Sequence, residues 1–447
     1  MKKSTYVLPM VFLMVFIAAC SPPSAAPASQ QKTPDEKRPQ QSVEQKNDQN
    51  ANAKTTITWL QWWKTEVGEE PLKQVKEAFE QENPDIELNI EDLPYAQVHD
   101  KIVTLNLAGS PPDVITIQSP WVIEFAEAGI SYPLNDFFNQ MPEDYKKGVE
   151  GPLWVPWKNN YTGIPFYTGN VAQFYNKKKL EAANVKPPET WEELLEVSKK
   201  LTDPSKKQYA LTGNISAEPA TTATYEIWPL ILQAGGKIIE NNRAAFNTEQ
   251  GVKALEFYKS LVKQYKVTTP GELSAGEKEK RANFSSENTA LMFEGPWGIG
   301  IQNKANPGLE FGVAPLPKGV THGTVVTGSL LGISAKSKQK EAAWKFISFM
   351  GGVKGQLIWA KSANYFPHNK EAMKDEFVQN NAMLKVFANQ FEAGNAVGVD
   401  LYLPLSSDLR KVFMNEVQMF VSDKKSAKQA LDDAAAEWNK VFEKYDN

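Results

Sequence analysis

Between residues 55 and 117 the chain alternates strand-type and helical patterning, and this alternation limits the possible folds more than any other feature. "TITWL" is rich in β-branched and aromatic residues, and in residues 71–82 Leu72, Val75, Ala78 and Phe79 recur at helical spacing. "NPDIELNI" restarts a strand, and the helical stretch 96–108 stops at Gly109, where a left-handed cap is easy. "PPDVITI" is then an unbroken β-branched run of the kind buried on both faces of a sheet. Strand, helix, strand, helix, strand predicts a mostly parallel α/β sheet, in which ligands bind beyond the carboxyl ends of the strands. Trp62 and Trp63 follow the first strand, and Gln118, Ser119 and Trp121 follow the third. Side chains alternate faces along a strand, so two adjacent tryptophans cannot share one core if the strand continues. At least one is expected at the strand's end, near solvent.

Further along, helices are expected over 189–201, over 249–265 and in "TATYEIWPLILQAGGK", which ends at Gly235 and Gly236. "LEFGVAPLP" reads as a strand. "SAKSKQKEAAWKFISFMGG" is an amphipathic helix with Ala343, Phe346, Ile347 and Met350 on one face, and 427–445 is a helix with Ala430, Leu431, Ala434, Trp438 and Val441 on one side. No internal repeat is found. With 447 residues, 41% of them hydrophobic, the chain can build two or three folded units. A formal charge of −4 argues against a nucleic-acid partner, since phosphate neutralisation needs clustered Lys and Arg. The basic runs at 177–179, 278–281 and 336–340 are interleaved with or flanked by acids and read as solvated faces.

At the N-terminus, Lys2 and Lys3 precede an apolar run over 6–19, too short for a permanent span and suited to a secretory signal. The run ends in "FIAAC", and small residues before Cys20, the sole cysteine, resemble the lipobox of bacterial lipoproteins. That resemblance implies removal of residues 1–19, diacylglycerol on the Cys20 thiol, and a lipid anchor on the extracytoplasmic face of the cell membrane. Residues 21–54 are Ser, Pro, Ala, Gln, Asn, Lys and Asp-rich, with Val43 the one sizeable aliphatic side chain. Such a segment buries too little to offset its chain entropy and reads as a tether with an r.m.s. reach of roughly 30 Å.

Several segments, in order, resemble the extracellular solute-binding proteins of carbohydrate ABC importers, the class that includes maltose-binding protein. They are "ITWLQWW", "GSPPDVITI", "WVIEFAEAGISYPLNDF", "YTGIPFYTGNVAQFYNKKKLEAANVKPPETWEEL", "TALMFEGPWGIG" and "VTGSLLGISAKSKQKEAAWKFISFM", and the likeness spans nearly all of 55–447. The resemblance implies a periplasmic-binding-protein-like fold of two α/β lobes, each discontinuous in sequence, with a ligand cleft between them. It implies crossovers near 166–170, 325–329 and 365–370, an N-terminal lobe of 55–167 with 326–366, and a C-terminal lobe of 168–325 with 367–447. By the same resemblance Trp297 in "EGPWG" stacks on a sugar ring and Tyr225 lines the same cleft. Trp62, Trp63, Gln118, Ser119 and Trp121 lie in loops beside it, Tyr167 and Asn170 at the first crossover, and Gly328 and Ser329 at the second. Where maltose binders carry charged residues reaching sugar hydroxyls, this chain has Trp63, Pro120 and Gly169, so the hydroxyl-binding set differs. The implied partners are a carbohydrate and the permease subunits of an ABC importer; the chain is expected to be monomeric and to need no cofactor.

The chemistry suits those residue types. A sugar presents a face of C–H groups that packs on an electron-rich ring, and a rim of hydroxyls that need donors and acceptors. Each polar group left unpaired in a buried site costs about 1–3 kcal/mol. Most tryptophans in a large protein nonetheless fill core. Trp59, Trp191, Trp344, Trp359 and Trp438 sit on apolar faces, Trp228 is read as core with them, and Trp154 and Trp157, beside prolines, stay open. The rival class is a glycoside-acting enzyme, which needs two carboxylates roughly 5–10 Å apart across a cleft. Glu66, Glu294 and Asp400 are conceivable cleft acids, whereas Glu69-Glu70, Glu192-Glu193 and Asp432-Asp433 read as solvated pairs. His99, His322 and His368 are far apart and no H-E-x-x-H occurs, so a metal site is not expected; no P-loop or G-x-S-x-G elbow occurs either. A polyamine or amino sugar is a third possibility, because aromatic boxes with acids also hold cations.

Overall fold

The computed structural model describes residues 54–154, 156–217, 220–399 and 403–445; the apolar N-terminal run, Cys20, nearly all of the tether and Asp400 lie outside them. The opening alternation produces β1 (Thr55–Gln61), β2 (Ile86–Asp92) and β3 (Val114–Gln118), separated by the helices Glu70–Glu82 and Tyr95–Leu107. β1 pairs in parallel with both β2 and β3, and every residue of β3 is buried.

The chain then runs through β4 (Ile164–Asn170) straight into β5 (Ala172–Asn176), and these two strands belong to different sheets. β6 (Tyr209–Thr212), a small β7–β8 hairpin (Ile239–Glu240, Arg243–Ala244), β9 (Thr289–Glu294), β10 (Phe311–Ala314), β11 (Thr324–Ile333) and β12 (Ala396–Val397) follow. The larger sheet has six strands in the order β12-β11-β3-β1-β2, with β4 also on β11; the smaller has four in the order β10-β5-β9-β6. The two sheets, each with its helices, make two α/β lobes. The smaller sheet is covered on both faces, by a cluster that includes Phe174, Phe284, Met292, Phe311 and Phe387 and by one that includes Leu180, Leu194, Leu211, Leu261 and Leu291.

β4 and β11 are antiparallel neighbours in the larger sheet, and their register shifts between Ser329 and Leu330. At Val171, where the chain leaves one sheet for the other, the Thr324 hydroxyl donates to the Val171 carbonyl (2.8 Å) and accepts from the Val171 N–H (3.0 Å). One side chain thus satisfies both backbone groups of the residue that has left one ladder and not yet joined the next.

The helical periodicities hold at Trp191–Leu201, where Thr190 caps the Glu193 N–H, at Lys340–Gly351 and at Ala427–Tyr445. The stretch 249–265 divides: an α-helix covers Glu249–Lys259, and Ser260–Gln264 widens to π geometry. The helix Ala220–Gln233 is buried along its whole length and carries Pro229 inside it. Two expectations fail. Trp62 and Trp63 are both buried, at 2% and 0% exposure, because β1 stops at Gln61 and a short helix (Trp63–Val67) turns the second ring inward. The run 278–281 is only half a solvated face: Lys278 and Glu279 are exposed, but Lys280 is 1% exposed and the Arg281 side chain 13%, because the helix Glu277–Ser285 lies with these two cations over buried carboxylates. Among the described residues no helix is long and apolar enough to cross a membrane.

Candidate functional site

Rings from separated parts of the chain meet where the two lobes face each other. Trp62 and Glu66 come from the turn and short helix after β1, Tyr95 from the start of the helix after β2, Gln118 from the last position of β3, and Tyr167 from β4. Opposite them stand Thr222 and Tyr225 on the helix Ala220–Gln233, Glu277 and Arg281 on Glu277–Ser285, and Trp297 at the start of Trp297–Ala305. The gap they enclose is about 20 Å³, room for a water molecule. It opens outward into a groove of about 790 Å³ that shares Glu66, Tyr95, Glu277 and Arg281 and runs between Thr65 and Pro94 on one side and Ile301 and Lys304 on the other.

Trp297 is held by its polar edge. Its indole N–H donates to Glu294 Oε1 at 2.6 Å, and the same carboxylate accepts from the Gly295 N–H (3.1 Å) and from Arg281 Nε (3.1 Å). Burial by itself would raise the Glu294 carboxyl, but Lys280 and Arg281 together hold it below the usual range, so an ionised acceptor stands behind the indole. Gly169 on β4 allows this corner to come close: a Cβ there would sit 2.6 Å from Pro296 Cδ and 3.5 Å from Trp297 Cζ3. The ring of Tyr225 lies 6.4 Å from that of Trp297, centre to centre, and its hydroxyl is 2.7 Å from Thr327 Oγ1 on β11. The Arg410 guanidinium lies 5.6 Å from the Tyr225 ring on its other side. Across the gap, Trp62 packs edge-on against Tyr95 (5.2 Å) and Trp121 (5.9 Å).

Charge in the gap is shared among three acids and one base. Arg281 pairs with Glu277 and Glu294 on its own side and reaches Glu66 across the gap at 3.4 Å. Burial pushes the Glu66 carboxyl up to about 7, with Arg281 pulling the other way, and Glu277 is raised for the same reason. Behind them Lys280 donates to the buried Glu226 (3.1 Å) and to the carbonyl of the half-buried Phe293 (2.8 Å).

Of the residues singled out in the sequence, the gap brings together Trp62, Gln118, Tyr167, Tyr225 and Trp297. Six do not line it. Trp63 packs into the core against Trp59, Phe166 and Trp359. Trp121 stands behind Tyr95 and against Phe125. Ser119 is buried at the N-terminus of the turn Ser119–Trp121. Asn170 donates to the Phe387 carbonyl at 3.0 Å and accepts from Gln390. A Cβ on Gly328 would strike Leu153 and the Tyr167 carbonyl, so that glycine serves strand packing. Ser329 is one layer back, donating to Gln118 Oε1 at 2.5 Å with Tyr167 O–H at 3.1 Å, and so orients two residues that do line the gap. Tyr95, Thr222, Glu277 and Arg281 were not anticipated. Tyr95 could have been, because it begins the helix directly after the short loop that follows β2, at the same carboxyl edge as the other two loops. Glu277 and Arg281, four residues apart on a helix, carry no signal that separates them from a surface pair.

The match to a known family agrees with this geometry. Residues 63–357, more than half of the chain, match the family of bacterial extracellular solute-binding proteins. The chain belongs to that family. A solute-binding protein of an ABC transporter from Thermotoga lettingae, solved with alpha-D-tagatose, superposes with a TM-score of 0.80 at 26% identity, covering 87% of this chain and 100% of that one. The maltotriose-binding protein of Pyrococcus abyssi is 26% identical over 342 residues, 74% of this chain and 69% of its own. The multiple sugar-binding protein of Streptococcus mutans is 27% identical over 301 residues, 62% of this chain and 67% of its own. This chain is therefore an extracellular solute-binding protein with the two-lobe fold of that family, whose members are binding proteins.

Proposed function

We propose that this solute-binding protein captures a sugar or oligosaccharide outside the cell and delivers it to the permease of an ABC importer, held to the membrane by lipid on Cys20. The observation that carries the reading is the convergence of Trp62, Tyr95, Tyr167, Tyr225 and Trp297 on one inter-lobe gap, with Gln118, Thr222 and three charged side chains between the rings. Rings offer flat apolar faces to sugar C–H groups, and the amide, hydroxyl, carboxylate and guanidinium groups offer donors and acceptors to the hydroxyl rim. The sugar and oligosaccharide ligands of the relatives support the same class. A groove of about 700 Å³ beside the β7–β8 hairpin has no Trp, Tyr or Phe in its lining and offers no such platform.

In this reading the lobes are 55–167 with 326–366 and 168–325 with 367–447, and β4 and β11 carry the chain between them. A gap of about 20 Å³ is far smaller than a sugar ring, so capture requires the lobes to part before they close on the ligand. No bond is made or broken in this cycle. Glu66 and Glu294, the two described acids that a hydrolase reading would enlist, are both paired with Arg281, which favours binding over acid–base work.

Tryptophan fluorescence of the full chain in detergent, titrated with mono- and oligosaccharides, is expected to show saturable binding without product. Trp297→Ala should weaken binding about thirtyfold, on the order of 2 kcal/mol for a lost ring face, and, because the ring is largely buried, should also lower the thermal midpoint, so affinity is read well below it. Unchanged affinity in that variant, or release of a hydrolysed sugar by the native chain, would refute the reading.

A further inference from the structure

The contacts between the lobes extend beyond the ring-lined gap, along the helix Trp297–Ala305. At Gly300 a Cβ would lie 2.5 Å from the carbonyl oxygen of Ala363, the last residue of the helix Val353–Ala363, and 3.4 Å from Val67 Cγ1. Ala363 and Val67 belong to the lobe of the larger sheet, and Gly300 to the other. The close neighbour is backbone, so nothing flexible can yield, and this approach exists because residue 300 has no side chain. One turn further on, Lys304 Nζ donates to the Thr65 carbonyl at 3.1 Å. Beside them Arg281, anchored on its own lobe by Glu277 and Glu294, reaches Glu66 at 3.4 Å, and the Tyr365 hydroxyl donates to the same Glu66 carboxylate at 3.4 Å. Together these contacts hold the lobes in the one arrangement in which the gap is only water-sized.

We propose that Gly300, Glu66 and Arg281 form a self-latch that holds the two lobes shut against each other and thereby competes with ligand entry. The proposal rests on the reading that ligand is captured between the lobes, but the latch itself requires no particular sugar. Its physical content is a population: only the fraction of molecules with parted lobes can admit a ligand, and the apparent affinity falls by that fraction. Gly300 and Arg281 are positioning residues in this scheme. Gly300 touches no part of the gap and acts through the lobe that it allows to approach. The Glu66–Arg281 pair is largely buried and makes closure chemically specific, because it joins groups from opposite lobes. A bound sugar would separate Glu66 from Arg281 and present its own hydroxyls to both.

The test measures the lobes without ligand. Spin labels on Ala96→Cys and Lys278→Cys, exposed residues on opposite walls of the outer groove, are placed in a Cys20→Ser chain, and the inter-label distance is read by pulsed electron resonance. Gly300→Ala and Glu66→Gln should each shift the ligand-free distribution to longer distances. Gly300→Ala, whose side chain is outside the gap, should also speed sugar association about tenfold, as expected if nine molecules in ten were latched. Distances unchanged in both variants would overturn the latch. So would a Gly300→Ala chain that opens but associates more slowly. Melting curves identify a variant that has not folded, and the other then decides. If no sugar binds to the native chain, the functional reading fails, while the distance measurement still decides the latch.

Discussion

Glu272 shows how one buried side chain can be read as a stability statement. It accepts from Tyr258 (3.1 Å) and Thr268 (3.4 Å), and burial pushes its carboxyl up to about 7; Glu226 and Glu66 are raised to about 7 in the same way. A carboxyl whose pKa is higher folded than unfolded binds more protons in the folded state between the two values. Its contribution to stability is therefore complete below about 4.5 and is lost as pH rises through about 7. His368 acts in the opposite sense: burial lowers it to about 4, so its contribution is present above the ordinary 6.5 and is lost as pH falls toward 4. Glu272→Gln removes one alkaline loss without changing shape. Its thermal midpoint relative to the native chain should rise between pH 5 and pH 8, and parallel melting profiles across that range would contradict the assignment.

Single elements carry the connection between the lobes. β4 and β5 are one continuous extended run, yet they pair in different sheets, and the change occurs at Val171 under the Thr324 hydroxyl. Thr324→Val keeps the volume and removes both bonds, leaving the buried Val171 N–H unpaired while its carbonyl keeps Gln390 Nε2 at 3.2 Å. The expected loss is about 1–3 kcal/mol in urea denaturation, the cost of one unmet group. A loss below 0.5 kcal/mol, roughly the size of a neutral surface change, would mean that Val171 finds other partners. The shift in register between β11 and β4 has a local consequence too. It seats Ser329 opposite both Tyr167 and Gln118, so a strand irregularity sets two of the residues that line the gap.

For the whole molecule, the proposed tether and lipid make the folded body a captive receptor near the membrane surface. Replacing Cys20 with Ser should move the protein from the membrane fraction to the soluble fraction and abolish labelling by a radioactive fatty acid, while sugar affinity in solution stays the same. Membrane retention of that variant would remove Cys20 as the anchor. Affinity and anchoring should separate cleanly, because every ring that lines the gap lies C-terminal to residue 61.

Local patterning in the sequence determined the opening β/α units and several of the longer helices. Helical and strand periodicities placed β1 to β3, the helices Glu70–Glu82, Tyr95–Leu107 and Ala427–Tyr445, and the carboxyl edge at which Trp62 and Gln118 gather, because those signals depend on neighbours a few residues apart, whereas Tyr167 came from the family resemblance alone. What only the tertiary structure decided are facings between residues on different elements. Adjacent tryptophans take different roles, Trp62 lining the gap and Trp63 packing into the core with the two rings still 4.5 Å apart, because a helix begins between them. Lys280 and Arg281 turn inward because Glu226, Glu294 and Glu66 wait there, 13 to 215 residues away, while Lys278 and Glu279 of the same run stay exposed. A charge on a helix looks the same in sequence whether it faces water or a buried acid. Its surroundings are set by the packing of distant segments, and no local pattern records that.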